Sequence, residues 1–105
     1  MKPGKKRKLE RAGWKVGSVA ELLGLSPEES AYIEMKLALG ESLKQKRITK
    51  RLSQNDLAQL IASSQSRVAK MEAGDGSVSI DLLVKSLLAM GASRKDVAHV
   101  IATRS

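Results

Sequence analysis

Gln65, Ser66, Arg67 and Lys70 lie close together in the chain. Between them they carry the donors and acceptors that can read the edges of bases. A glutamine amide pairs with adenine through two hydrogen bonds, a lysine reaches guanine or a phosphate, and a serine donates or accepts. Placed on a helix at about 100° per residue, Gln65, Ser66, Ala69 and Lys70 fall on one arc with Arg67 on its flank. Val68 and Met71 fall together on the other side, which must be the core face. Small Ala69 in the middle of the polar arc lets such a helix approach a groove closely. A solvated helix in an ordinary bundle would show the same arc, so the surrounding residues have to decide.

Other chemistry has little to stand on. His99 is the one histidine and has no acid or nucleophile beside it in sequence, and cysteine is absent. Disulfides and thiolate metal sites are therefore excluded. No His/Asp/Glu set has metal-ligand spacing, so no catalytic residue, no metal and no cofactor is expected, and the chain is not read as an enzyme. Trp14 and Tyr32 are the only aromatics. Few bulky side chains remain to wall a deep ligand pocket, and base stacking as in RNA binders is disfavoured. Trp14 plugs the core edge or, as the lesser alternative, stacks on a base.

The elements that must carry the polar arc can be traced along the chain. No alternating strand pattern and no internal repeat occurs, so the chain is expected to be all-α. Residues 1–13 combine Pro3, Gly4 and a run of charge, and are expected to be disordered. Ser18 can cap a short helix that Gly24 ends. Ser26-Pro-Glu-Glu29 forms a capping box with proline at the first helical position, and helix-compatible sequence runs on to about Lys50. Tyr32, Met35, Leu39 and Leu43 make a stripe that Ile33 and Leu37 widen. Gly40 costs about 1 kcal/mol relative to Ala in a helix, which makes it the place for a bend or break. Ser53 caps the next helix, with Asp56 at its third position and Leu57, Ala58 and Ile61 inward. Ser64 caps residues 65–73 and Gly74 stops them. Ser79 opens a fourth segment with Leu82, Leu83, Leu87, Leu88 and Met90 as buried candidates up to Gly91. Ser93 and Asp96 open a last helix with Val97, Val100 and Ile101.

The stretch around the polar arc resembles the helix-turn-helix of the XRE/Cro–CI family, which includes the lambdoid phage repressors. Leu52, Gln54, Leu57, Ala58, Gln65, Val68, Met71, Glu72 and Gly74 carry the resemblance without gaps. It extends upstream through Lys46-Arg47-Ile48 and downstream through Leu87 to Ser93, and covers roughly residues 40–102. The resemblance implies a five-helix lambda-repressor-like domain with helix 65–73 in the major groove of double-stranded DNA. It implies base contacts from Gln65, Ser66 and Lys70, and a phosphate contact from Gln54, which would also buttress Gln65. Arg67, Lys44, Lys46, Lys50 and Arg51 are candidates for phosphate contacts, which fix register without reading sequence. Arg47 and Glu72 fall where such repressors place a partly buried structural ion pair. Two positions depart from the pattern. Ala62 stands where the turn usually has glycine, and Ser63 where a buried aliphatic is usual.

The charge distribution agrees with a polyanion-facing surface. The net charge is +8, with seven basic residues against Glu10 over residues 1–17 and seven against Asp56 over residues 44–70. Residues 18–43 reverse this with five glutamates against Lys36. The acidic block suggests a second surface facing elsewhere, although any charge run can simply be a solvated face. The organisation expected is therefore a basic arm over residues 1–13, a helical extension over 14–40 and the helix-turn-helix domain over 41–105. The arm would follow phosphates or the minor groove. Gly13 to Ser26 also resembles the leader of small XRE-type regulators, some of them HigA-like antitoxins. Val19 to Ser26 by itself resembles half of a helix-turn-helix, but with no basic second helix the favoured reading is a packed helical leader.

A dimeric transcriptional repressor is the leading expectation, because two-fold pairing doubles a short site into a palindrome. No oligomerisation domain is expected after the fifth helix, so pairing is expected to fall to residues 18–43, the last helix or the contact between helices four and five. The alternative is an antitoxin or interaction module that binds a toxin or other protein partner through residues 14–43. No apolar run approaches the ~20 residues of a membrane span and the basic N-terminus has no apolar run behind it. No membrane partner is expected, and the protein is expected to be soluble and cytoplasmic.

Overall fold

A computed structural model describes residues 22–103. They contain five helices: α1 (Pro27–Thr49), α2 (Gln54–Leu60), α3 (Gln65–Ala73), α4 (Ile80–Ala89) and α5 (Arg94–Thr103). No strand occurs among the described residues. The expectations for residues 1–13, Trp14 and Ser18 lie outside them. The chain divides into two compact units, Met1–Glu34 and Met35–Ser105.

In the first unit, Leu22 and Leu23 end a helical turn that Gly24 closes. Ser26 then starts α1 with a reciprocal capping box. Its hydroxyl accepts from the Glu29 N–H at 3.1 Å and its own N–H donates to the Glu29 carboxylate at 2.8 Å. Two of the amides that a helix start leaves without partners are thereby satisfied. Tyr32, expected in the apolar stripe, is 46% exposed. It borders an apolar cleft with Leu25 and Ile33, flanked by Glu28 and Glu29.

The second unit is built on an aliphatic core. Leu39 and Leu43 of α1 meet Leu57 and Ala58 of α2, Val68 and Met71 of α3, Val78, Leu83, Leu87, Met90 and Val97. Each fully buried leucine contributes about 1.5–3 kcal/mol relative to its exposed state. Serine hydroxyls start the helices throughout. Ser53, Ser64 and Ser79 each accept the N–H three residues on, and Ser93 with Asp96 forms a box like that of Ser53 with Asp56. Gly74, at φ +68°, ends α3 in the left-handed conformation that glycine adopts without steric cost.

Two readings of the sequence are corrected here. Gly40 neither bends nor breaks its helix, for α1 is continuous from Pro27 to Thr49. Gly40 is instead a point of close approach: a Cβ there would lie 2.5 Å from the Met71 carbonyl oxygen and 3.1 Å from that of Glu72. Leu88, a core candidate, is 41% exposed, because the buried face of α4 is set by Leu83, Ser86 and Leu87. Lys36, the one cation among the glutamates of residues 18–43, is only 7% exposed, and its charge acts on Asp75 in the turn after α3.

Candidate nucleic-acid interface

α2 and α3 are joined by a four-residue connection, Ile61 to Ser64, that turns the chain sharply. The Ile61 N–H returns to the Leu57 carbonyl at 3.0 Å and the Ser63 N–H to that of Ala58 at 2.7 Å. Closing the turn requires Ala62 to sit at φ +55°, the region that a Cβ penalises and glycine does not. This is the position where the resemblance led one to expect glycine. Ser63 is half-buried, with its amide rather than its side chain fixing the turn. Arg51, between α1 and α2, is also left-handed at φ +60°. Its charge was legible in the sequence, but its backbone state was not.

α3 is seated by Val68 and Met71, both fully buried. Gln65, Ser66, Arg67 and Lys70 are exposed on it, and Ala69 is half-buried between them. Ser66, Arg67 and Lys70 line a shallow polar groove with Ser64, Ser77 and Val78. Ser77 was missed in the sequence. The available signal was Asp75-Gly-Ser77 directly after the helix-stopping Gly74, a pattern that folds back on its own backbone. The Asp75 carboxylate accepts both the N–H and the hydroxyl of Ser77. These hydrogen bonds, led by the hydroxyl's, hold its pKa below the ordinary value, and the charges of Lys70 and Lys36 act in the same direction.

A polar chain runs beneath this surface. The side chains of Arg47 and Glu72 are 13% and 4% exposed, and Arg47 Nε lies 2.5 Å from Glu72 Oε2. Arg47 Nη2 donates to Glu72 Oε1 at 3.1 Å and Nη1 to the Leu52 carbonyl at 2.8 Å. The guanidinium therefore ties α1 to α3 and to the segment entering α2. Hydrogen bonding to Glu72 raises the Arg47 pKa above its ordinary value; burial opposes the shift, and the carboxylate's charge adds to it. Gln54 Nε2 donates to Glu72 Oε1 at 3.1 Å, and Gln65 Nε2 donates to Gln54 Oε1 at 2.8 Å. Among the described residues no buried side-chain polar atom lacks a partner.

The remaining cations are placed differently. Lys44, Lys50 and Arg51 are exposed, whereas Lys46 is half-buried and its charge acts on Asp96 of α5. His99 is exposed on α5. No group of His, Asp or Glu among the described residues could hold a metal ion, and no described helix is long and apolar enough to cross a membrane. Residues 43–98 match a family model described as helix-turn-helix. No curated protein and no solved structure matches the chain.

Proposed function

The chain belongs to the XRE-type helix-turn-helix family of DNA-binding regulators, and on that basis we propose that it is a sequence-specific transcriptional repressor that binds DNA as a dimer. The observation that carries this reading is α3 itself. It rests on a sealed apolar face and presents Gln65, Ser66 and Lys70 outward, with Arg67 at the edge. In this reading Gln65, Ser66 and Lys70 meet base edges while Gln54, Arg67, Lys44, Lys46, Lys50 and Arg51 meet phosphates.

Selection from a random duplex pool at near-physiological salt tests the proposal. The expected result is a palindrome with half-sites about one helical turn apart. Gln65→Ala is expected to cost ~1–3 kcal/mol on the selected site and to relax preference at one position of each half-site. Binding without enrichment would reduce the interaction to charge alone and remove the specific-regulator reading.

A second reading, an antitoxin-like module that grips a partner protein through residues 14–43, draws on the first unit. Its cleft is lined by Leu25, Tyr32 and Ile33, and Leu22 and Leu23 are 73% and 65% exposed. A neighbouring toxin-like reading frame whose product co-purifies with the chain would favour it. The two readings are compatible in a regulator that also binds a partner.

A further inference from the structure

We propose that the apolar cleft of the first unit is the seat of the chain's own basic leader, residues 1–17: Trp14 fills the cleft, and Arg11 and Lys15 pair with the glutamates on its rim. The cleft is lined by Leu25, Tyr32 and Ile33, rimmed by Glu28 and Glu29, and offers about 380 Å³. The same unit leaves further apolar surface uncovered, since Leu22 and Leu23 are 73% and 65% exposed. Apolar surface gathered in this way behind a polar rim is the make-up of an interaction site.

Charge says which occupant fits. Residues 22–34 carry Glu28, Glu29 and Glu34 and no lysine or arginine. Capping accounts for Glu29, whose carboxylate accepts the Ser26 N–H, but not for Glu28. Such a rim repels phosphates and favours an apolar side chain flanked by cations. The leader has that composition, with seven cations against Glu10 and with Trp14 between Arg11 and Lys15. Tryptophan and arginine are also the residue types that dominate small interfaces. Proximity favours the leader as well. Trp14 precedes Leu22 by eight residues, roughly 26–29 Å of chain at full extension, and both lie in the compact unit Met1–Glu34. A tether of that length holds the leader at an effective concentration on the order of millimolar. An outside protein that binds this cleft has to displace the leader first, so the leader is a built-in competitor for the surface.

Trp14 is the only tryptophan of the chain and serves as its own reporter. In the full chain its indole protons should give NOEs to the Ile33 methyl groups. Its emission should be blue-shifted, and protected from acrylamide, relative to the urea-unfolded chain. Ile33→Asp puts a charge into the cleft and should bring both emission and quenching close to the unfolded values. Glu28→Gln with Glu29→Gln removes the rim charge and keeps the cap, which glutamine also forms. Protection in the wild type should weaken as sodium chloride is raised, because exposed ion pairs are screened. In the glutamine pair it should start weaker and hardly respond to salt.

Solvent-like emission in the wild type overturns the docking and leaves the cleft to an outside partner. Protection that survives Ile33→Asp unchanged overturns it too, since Trp14 is then buried elsewhere. Protection lost on dilution overturns it in favour of the leader of a second copy. Protection indifferent both to salt and to the two glutamates overturns the pairing of Arg11 and Lys15 with the rim. If Ile33→Asp does not fold, the NOEs and the glutamine pair decide. None of these readouts involves DNA, so failure of the DNA-binding reading leaves the test intact.

Discussion

Arg51 and Ala62 hold the two turns that bracket α2, both with left-handed backbones and neither with a glycine. A Cβ in that region costs roughly 1–2 kcal/mol, and part of that is returned because glycine would loosen the unfolded chain. Ala62→Gly is therefore expected to raise stability by about 0.5–1 kcal/mol, read from urea midpoints. Arg51→Gly should stabilise by a similar amount yet weaken binding to all duplexes alike and reduce the salt slope by about 1, as loss of a phosphate contact does. A midpoint that falls in both variants would show that these turns are not strained. At position 62 the sequence did announce the demand, because the residue departed from the pattern that surrounds it. At position 51 nothing in the local residue types distinguishes a left-handed arginine from a helical one.

The helices themselves were largely legible. Serine at each helix start, glycine after α3 and aliphatics at helical spacing are local signals, and local signals fix where a helix begins and ends. What could not be read was which helix another helix would touch. Gly40 is the clearest instance. Its low propensity argued for a bend, whereas its lack of a side chain lets α1 reach the carbonyls that end α3. Leu88 was misjudged for the same reason, since burial depends on the neighbouring element. The polar contacts of the interface were legible only as a resemblance; their distances and donor directions required the fold. From the packing follows an inverted expectation. Gly→Ala inside a helix normally stabilises by about 1 kcal/mol, but Gly40→Ala should destabilise by about 1–3 kcal/mol through overpacking against backbone. Thermal unfolding checks it, and a higher midpoint would show that α1 and α3 can separate freely.

At the scale of the molecule, a chain of net charge +8 places several of its few acids at structural junctions. The pKa values of Asp56 and Asp96 are lowered chiefly by backbone hydrogen bonds from Ser53 and Ser93, and that of Asp75 by the hydroxyl of Ser77. A lowered folded-state pKa gives stability that is complete above the unfolded value and is lost as pH falls through the folded one. Urea midpoints should therefore hold from neutrality to about pH 5 and decline below about pH 4. The decline should be shallower in Asp56→Asn and Asp96→Asn, and an unchanged acid profile in both would show that these caps do not couple to folding. The network under α3 carries a different kind of consequence, one for descent. Gln65 is tied through Gln54 to Glu72 and on to Arg47, so a mutation at one of these positions arrives in a setting that suits only the old residue. Ser66 and Arg67 lie outside that circuit. As lineages of this chain drift toward new target sequences, positions 66 and 67 are free to change singly, while 47, 54, 65 and 72 must change together or stay as they are.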